Sequence, residues 1–472
     1  MAKLSSSRQS DSARTRRADT AFLWRPGSGS AAMLILLFLL GGSARGDVST
    51  LIVLRPVAAL LLTWAVWRMT RAGFAFVNVP FLIVFAFTVL CVLHLIPLPP
   101  TIWQSLPDRQ LVTDISAAMG LANDWRPLSV APVTTWNALL STVPIIALIL
   151  IVASERERYH ALLPLLIGIA SVGAILGGLQ MASPPGSLLY PYRFSSFGSP
   201  IGFFANRNHQ AVFLACMIPG AFAWALLNHD RTLRRVMLFG AFAFSALGLV
   251  LLAIIGSRAG LLLGGLAVVF SLWLVHRFGG GLAQYGRRVW VLAGVVVAGL
   301  ATTTLLLGRG EAVSRIAETS YQNEARLSFW KPIVDLGAAN FPFGTGLGSF
   351  VEAYTASEND RFLQPNYLNH AHNDWIEAFM TGGLPMVLIL LGVIVFVAAQ
   401  LPALMKAGRD DGPAVLGWLG IAWLVFLAIA SVFDYPLRTP ALSGVAAIGL
   451  IWLNAFRLSQ RPREASLDGM DA

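Results

Sequence analysis

The sequence predicts an all-α, polytopic integral membrane protein with about twelve transmembrane helices. Only 12% of its 472 residues are charged and 56% are hydrophobic, whereas a soluble domain carries about 25% charged residues. Apolar runs of about 20 residues, the length that crosses a bilayer, also recur along the whole chain. The recurrence indicates one membrane domain rather than several soluble domains.

The apolar runs define the individual spans. A basic segment, residues 1–30, precedes them, and we expect it to be disordered because it combines arginine with serine and alanine. The transmembrane domain then covers residues 31–456, and a short tail, 457–472, follows. We predict spans at residues 31–45, 48–67, 76–97, 135–153, 161–182, 208–227, 235–255, 260–276, 288–308, 384–400, 413–430 and 440–456.

The positions of Lys and Arg predict the orientation. They are concentrated on the side of the N-terminus, most clearly in short links such as residues 230–235. Short cytoplasmic loops carry this excess, so both termini are expected in the cytoplasm. The net charge of +10 follows this topology and does not indicate nucleic-acid binding. Three larger loops, 98–134, 183–207 and 309–383, are then periplasmic, the last lying between helices nine and ten.

Arginine side chains on this outer face are candidates for binding a phosphate. Arg258 lies in a turn of small residues, 256–260, where a ligand can approach closely. Its guanidinium could donate two parallel hydrogen bonds to phosphate oxygens, or it could simply reach from a helix end to water. Arg193 and Arg207 fit phosphate binding less specifically, because either could cap a loop.

Two histidines near the end of the largest loop are candidates for proton transfer. His370 and His372 precede a predicted helix start, and a histidine can take a proton from a hydroxyl group near neutral pH. Asp374 and Glu377 have the spacing of a capping box for that helix. Loop histidines bonded to backbone, or a His-x-His metal site, are the alternatives. Because no further His or Cys stands nearby, we expect no metal and no other cofactor.

Two more patterns in the loop 309–383 predict local structure. Apolar residues at helical spacing within 327–336 indicate a helix lying on the membrane surface. Gly344, Gly346 and Gly348 lack the preceding strand and the following Lys-Ser/Thr of a nucleotide-binding loop. We therefore expect these glycines to form turns.

Together these stretches resemble the O-antigen ligase and O-antigen polymerase family of bacterial envelope glycosyltransferases. The most specific part runs from Arg326 and Trp330 through Phe-Gly-Thr-Gly-Leu-Gly, starting at Phe343, to His-Ala-His-Asn-Asp-Trp-Ile-Glu, starting at His370. Members of the family take their glycan from an undecaprenyl-pyrophosphate-linked donor without a metal. The resemblance therefore implies an enzyme of the bacterial inner membrane that takes part in lipopolysaccharide or other polysaccharide biosynthesis of the cell envelope.

The resemblance also implies roles for particular residues. Arg258 would bind the donor pyrophosphate, with Arg193 as the second phosphate-binding arginine and Arg207 as its alternative. His372 would activate the acceptor hydroxyl, and His370 and Arg326 are further substrate-binding candidates. The expected partners are the lipid-linked donor, an acceptor and membrane lipids. In a ligase the acceptor is the lipid A core, and in an O-antigen or exopolysaccharide polymerase it is another glycan.

Two other classes of protein remain open at this stage. A transporter or flippase for the same lipid would suit twelve spans, and it would need charged groups inside the membrane. Arg55 is the one charged residue that the predicted spans place deep in the membrane, while the polar residues gather on the outer face. A scaffold protein would need no cluster of arginine and histidine. An enzyme is therefore favoured.

Overall fold

The computed structural model describes residues 26–280, 329–358 and 368–460. Within these ranges the chain is almost entirely helical, which confirms the all-α polytopic class. Nine of the described helices are long and apolar enough to cross a membrane, and two shorter apolar helices accompany them. The helices are α1 (Ser28–Leu40), α2 (Leu51–Trp67), α3 (Arg71–Leu95), α4 (Pro100–Trp103), α5 (Gln110–Ala118), α6 (Pro132–Ser154), α7 (Leu162–Met181), α8 (Arg207–Leu226), α9 (Arg231–Ile255), α10 (Arg258–Phe278), α11 (329–339), α12 (Phe350–Ser357), α13 (Asp374–Lys406), α14 (Gly412–Phe433) and α15 (Pro440–Ser459).

Among the described residues, nine of the predicted spans coincide with helices long enough to cross a membrane, and the spans predicted at 31–45 and 48–67 coincide with the shorter helices α1 and α2. The span expected at 288–308 lies outside the described residues. The largest difference is in α13, which begins at Asp374 instead of at residue 384. Gly383, with φ 57° and ψ −151°, breaks this helix, so that its first turns belong to the preceding loop and the rest forms the span.

Helix α8 lies at the centre of one half of the bundle, in contact with α7, α9, α10 and α14. Nearly all of its residues are buried. Helix α6 lies at the centre of the other half, in contact with α2, α3 and α15. Helix α15 also packs on α14, and this contact joins the two halves of the bundle. Backbones touch where α14 crosses α15, because a Cβ atom on Gly420 would meet the backbone of Gly449. Small residues of this kind let membrane helices approach closely.

The described parts of the loops 98–134 and 309–383 pack together outside the spans. Two short strands, β1 (Pro97–Leu98) and β2 (Arg126–Pro127), pair antiparallel with Pro97 opposite Pro127. Farther on, the backbone N–H of Val130 donates to the Thr345 carbonyl, and that of Thr345 donates to the Met380 carbonyl. These bonds join one loop to the start of α13.

Helix α11 contains the apolar residues predicted to lie on the membrane, but that prediction is wrong in part. Residues 329–339 are helical, as expected. However, Phe329 and Ile333 are buried in a small core with Phe350 and Tyr354 of α12. The apolar face of α11 therefore packs on the protein.

The turn role of the three glycines is confirmed. Gly344, Gly346 and Gly348 have φ values of 76°, 111° and 86°, which side chains with a Cβ atom rarely adopt. A Cβ atom on Gly346 would also lie 2.7 Å from the Cα atom of Ser129. These glycines allow the loop 343–349 to lie directly against the segment that leads into α6.

Candidate active site

A cavity of about 1030 Å³ opens where several loops meet at the ends of the helices. Its wall combines residues from segments that are far apart in the chain. These segments are 43–45, 194–199, 205–212, 256–262, 330, 369–372 and 430–435. The sequence analysis places nearly all of them at or beyond the outer ends of spans, so the alternation of the helices brings the expected periplasmic residues together.

Arg258 lies on the cavity wall as the first residue of α10. Gly256 ends α9 in the left-handed conformation with φ 67°, and the Ser257 side chain accepts a hydrogen bond from the Gly260 N–H at 3.1 Å. The turn of small residues thus closes one helix and caps the next. This turn places the exposed guanidinium of Arg258 at the N-terminus of α10. The guanidinium and the helix N-terminus both favour a bound anion.

Arg207 occupies the same position on the neighbouring helix. It is the first residue of α8, follows the capping residue Asn206, and also lines the cavity. The two helix ends are close, because a Cβ atom on Gly260 would lie 2.6 Å from the Ala211 Cβ atom. Two helix N-termini that begin with arginine therefore open on one cavity.

Phe194 brings two more arginines to the mouth of the cavity. The guanidinium of Arg193 lies 5.4 Å from the centre of the Phe194 ring, and that of Arg45 lies 4.6 Å from it. Arg193 is exposed and is not part of the wall, whereas Arg45 is. Arg45 was not predicted as a site residue because the first span was expected to reach residue 45, but α1 ends at Leu40.

His372 also lies on the cavity wall, next to a buried carboxylate. Its Nδ1 atom is 3.7 Å from Oδ1 of Asp434, which follows the last residue of α14. The other carboxylate oxygen accepts hydrogen bonds from the side-chain amides of Asn206 at 3.1 Å and Asn208 at 2.7 Å. His372 itself has φ 50°, an uncommon conformation for a residue with a side chain, and one that clusters at functional sites.

The surroundings of Asp434 keep its carboxyl group ionised. Burial raises the pKa of this group, but the neighbouring His372 and His209 and the hydrogen bond from Asn208 outweigh burial, so that the pKa lies well below its usual range. The Asp434 carboxylate beside Nδ1 orients the His372 ring. Nδ1 faces the carboxylate, which leaves Nε2 as the atom able to exchange a proton with a substrate.

His370 is close to His372 but belongs to a different set of contacts. Its Nδ1 atom lies 3.0 Å from Oε1 of Glu377, whose side chain is 1% exposed. Arg438 binds the same oxygen at 3.1 Å and Oδ1 of Asp374 at 2.9 Å. His370 does not line the cavity, and this ionic network holds the loop that carries His372.

The network corrects the predicted capping box. The N-cap of α13 is Asn373, whose side chain accepts from the N–H groups of Trp375 and Ile376. The Glu377 carboxylate accepts from the Ala371 N–H at 2.9 Å. Asp374 therefore binds Arg438, and Glu377 binds both Arg438 and His370. These pairs form because Arg438, in the turn after α14, lies close to the start of α13.

The sequence analysis also missed Asp434 and the two asparagines that bind it. The sequence feature that could have indicated Asp434 is its position as an acidic residue between two closely spaced apolar runs. Of the predicted site residues, Arg258, Arg207 and His372 meet at the cavity, Arg193 stands at its mouth, His370 lies behind it, and Arg326 lies outside the described residues. Among the residues that the structure describes, no group of three or more His, Cys, Asp or Glu could hold a metal ion.

The fold and the cavity define a multi-pass membrane protein with a basic site and a histidine–carboxylate pair at the ends of its helices. Residues 241–391 match the family model of O-antigen ligase. This match supports the O-antigen ligase and polymerase family, as the resemblance implied, and it supports an enzyme. No curated protein matches it. The matched stretch contains Arg258, His370 and His372, and Asp434 lies beyond it.

Proposed function

We propose that this protein transfers a glycan from an undecaprenyl-pyrophosphate-linked donor to an acceptor hydroxyl group at the periplasmic face of the bacterial inner membrane. The observation that carries the proposal is that Arg207, Arg258 and His372 line one cavity. In such a cavity the arginines can bind the pyrophosphate of the donor while the histidine accepts a proton from the acceptor hydroxyl.

The donor pyrophosphate is assigned to the N-termini of α8 and α10. Both helix ends carry partial positive charge, and Arg207 and Arg258 add two guanidinium groups. Arg45 and Arg193, whose guanidinium groups both lie close to the Phe194 ring, add positive charge at the mouth. Guanidinium donors stabilise the charge that develops on the leaving pyrophosphate, so that no metal is needed for this purpose.

His372 is assigned to the acceptor. The acceptor oxygen forms a bond with the anomeric carbon of the donor glycan as the bond from that carbon to the pyrophosphate oxygen breaks. The electron pair of the broken bond leaves on undecaprenyl pyrophosphate, and the hydroxyl proton passes to Nε2 of His372. Asp434, 3.7 Å from Nδ1, holds the ring and stabilises the resulting imidazolium.

The preferred acceptor is the lipid A core, which makes the protein a ligase. The alternative is a lipid-linked glycan, as in an O-antigen or exopolysaccharide polymerase, since the chemistry at the cavity is the same. Deletion of the gene and electrophoresis of the surface polysaccharide separate the two. Loss of all glycan attached to lipid A indicates a ligase, whereas attached glycan reduced to one repeat unit indicates a polymerase. An unchanged pattern for every surface glycan would contradict both.

Independence from metal is part of the proposal. Purified protein with lipid-linked donor and acceptor should retain its rate in the presence of a chelator. Recovery of activity only after addition of Mg²⁺, Mn²⁺ or Zn²⁺ would contradict it and would support a His-x-His metal site.

The contacts of Arg55 weigh against the transporter alternative. Arg55 is the fifth residue of α2, one turn from the helix end. Its guanidinium donates to the side-chain and backbone oxygens of Asn137 at 2.8 and 3.3 Å. Arg55 is therefore hydrogen-bonded to a neighbouring helix, near the outer end of its own helix. It is not a charged group at the middle of the membrane, where a transport pathway would need one.

A further inference from the structure

Helix α5, in the loop that joins α3 to α6, points its apolar side chains outward. Leu111, Ile115 and Met119 follow one another at intervals of one helical turn and are 53%, 49% and 65% exposed. We call these three residues the outer apolar face of α5. They form a continuous stripe on a helix that lies beyond the membrane spans.

The opposite side of α5 is polar and faces the protein. Ser116 is fully buried, and its hydroxyl donates to the Val112 carbonyl at 2.6 Å. The hydroxyl of Thr113 donates to the Arg109 carbonyl at 2.9 Å. A helix on an aqueous surface has the reverse arrangement, with its apolar side chains inward. This inverted polarity favours an apolar environment outside the protein.

The surrounding surface indicates which environment this is. The last turns of α3, a membrane span, expose Leu93 and Ile96 at 52% and 44%, and the chain continues to Ile102, which is 48% exposed. Trp125, on the other side of α5, is 65% exposed, and tryptophan is enriched where membrane proteins cross the lipid headgroups. Exposed apolar side chains thus occur at the end of a membrane span, on the segment that follows it and on α5.

We propose that α5 lies in the interfacial zone of the outer leaflet, with its outer apolar face among the lipid acyl chains just below the headgroups. The occupant of this face is the phospholipid bilayer itself. The nearby charges, Asp108, Asp114 and Asp124 against Arg109 and Arg126, give no basic excess. Binding is therefore driven by burial of apolar side chains, and zwitterionic lipid is sufficient.

The position of α5 has a consequence for the catalytic loop, which rests on the proposed function. Arg109, next to α5, donates to the Leu128 carbonyl, and the following segment binds Thr345, which in turn binds the Met380 carbonyl at the start of α13. Through these contacts α5 sets the height of the His372 loop above the bilayer. Both expected substrates are anchored in lipid, so this height decides whether they can meet at the cavity.

A fluorescent label on a cysteine tests the location directly. Ile115→Cys carries the label on the outer apolar face, and Asp114→Cys, on an exposed polar position of the same helix, is the matched control. The two native cysteines, Cys91 and Cys216, are buried. Full-length labelled protein is reconstituted into phosphatidylcholine vesicles, and quenching by lipids with a quencher near the headgroup is compared with quenching by aqueous iodide.

The label at 115 should be quenched several-fold more by the lipid quencher than the label at 114, and several-fold less by iodide. Equal iodide quenching at both positions would overturn the proposal, because the face would then be in water. Protection of position 115 from both quenchers would also overturn it, since a protein surface would be the occupant. The result does not depend on activity, so the proposal and the glycosyltransferase function can fail separately.

Discussion

At the scale of single residues, Arg207 and Arg258 can bind an anion more specifically than an isolated positive charge, because each stands at a helix N-terminus. Arg258 stands at the start of α10 with its turn closed by Ser257, so that the guanidinium and the helix backbone face the same volume. A planar guanidinium can donate two parallel hydrogen bonds, which an ammonium group cannot do.

Arg258→Lys should therefore lose at least about tenfold in donor affinity, the equivalent of about 1.4 kcal/mol, although the charge is kept. Arg126→Lys is the matched control, because Arg126 lies over the Trp103 ring, away from the cavity. Donor binding is measured on purified protein with the lipid-linked donor. Equal binding by the two variants would mean that Arg258 only reaches to water.

The two histidines differ in their partners, and this difference gives the second prediction. His372→Ala should reduce turnover by about 10²–10⁴-fold, the usual contribution of a general base, and leave donor binding intact. His370→Ala should keep a measurable part of the activity, because Arg438 remains to bind Glu377. Turnover and donor binding are measured separately at equal membrane levels. An inactive His370 variant beside an active His372 variant would reverse the assignment.

At the scale of elements, the start of α13 depends on the ionic network around Glu377. Arg438→Met leaves the buried carboxylates of Glu377 and Asp374 without their cation, and loss of one partner of a buried ion pair costs about 3–5 kcal/mol. We expect the lower end, about 3 kcal/mol, because the Arg438 side chain is 25% exposed. The measurement is thermal unfolding in detergent.

Lys331→Met is the control for that variant. The pair that it breaks, Lys331 with Asp335, is 82% and 61% exposed, and such surface pairs contribute little to stability. Its melting temperature should match that of the wild type. A similar decrease in both variants would mean that the loss is not specific to the buried network.

The glycine turns give a second prediction for an element. Gly346→Ala combines a left-handed φ of 111° with contact between the new Cβ atom and Ser129, so it should lower the melting temperature and the amount of folded protein. Gly186→Ala has φ 81° but no atom within 4 Å of the new Cβ atom, so it separates backbone strain from contact. If both variants fold equally well, close packing of the loop 343–349 is not important.

These elements show which parts of the structure the sequence could predict. Spans were predictable because a lipid environment allows few polar residues in a helix, and Arg258 and His372 were found because they stand in short polar stretches. Asp434 was not found, since its partners Asn206 and Asn208 come from a distant part of the chain and only tertiary contacts join them. The partners of Asp374 and Glu377 were predicted incorrectly for the same reason: the local capping rule does not take account of Arg438, which comes from a distant part of the chain and binds both carboxylates.

At the scale of the whole molecule, the orientation in the membrane remains a prediction from charge. The cavity is lined by loops that the positive-inside rule places on the outer side. If one pair of helices had the opposite orientation, these loops could not meet on one side of the membrane. Reporter fusions at residue 345 should report the periplasm, and fusions at 232 and 465 the cytoplasm. A cytoplasmic signal at 345 would contradict the proposed mechanism, because the lipid-linked donor would then be on the other side.

The carboxylate of Asp434 has a consequence for how this protein can change during evolution. It is bound by Asn206 and Asn208, which are 228 and 226 positions away in the sequence, and it faces His372 from a third segment. A replacement at any one of these positions leaves a buried donor or acceptor unpaired. Lineages should therefore exchange these residues jointly or not at all, and hybrids that join the first half of one homologue to the second half of another should lose activity whenever the parents differ at these four positions.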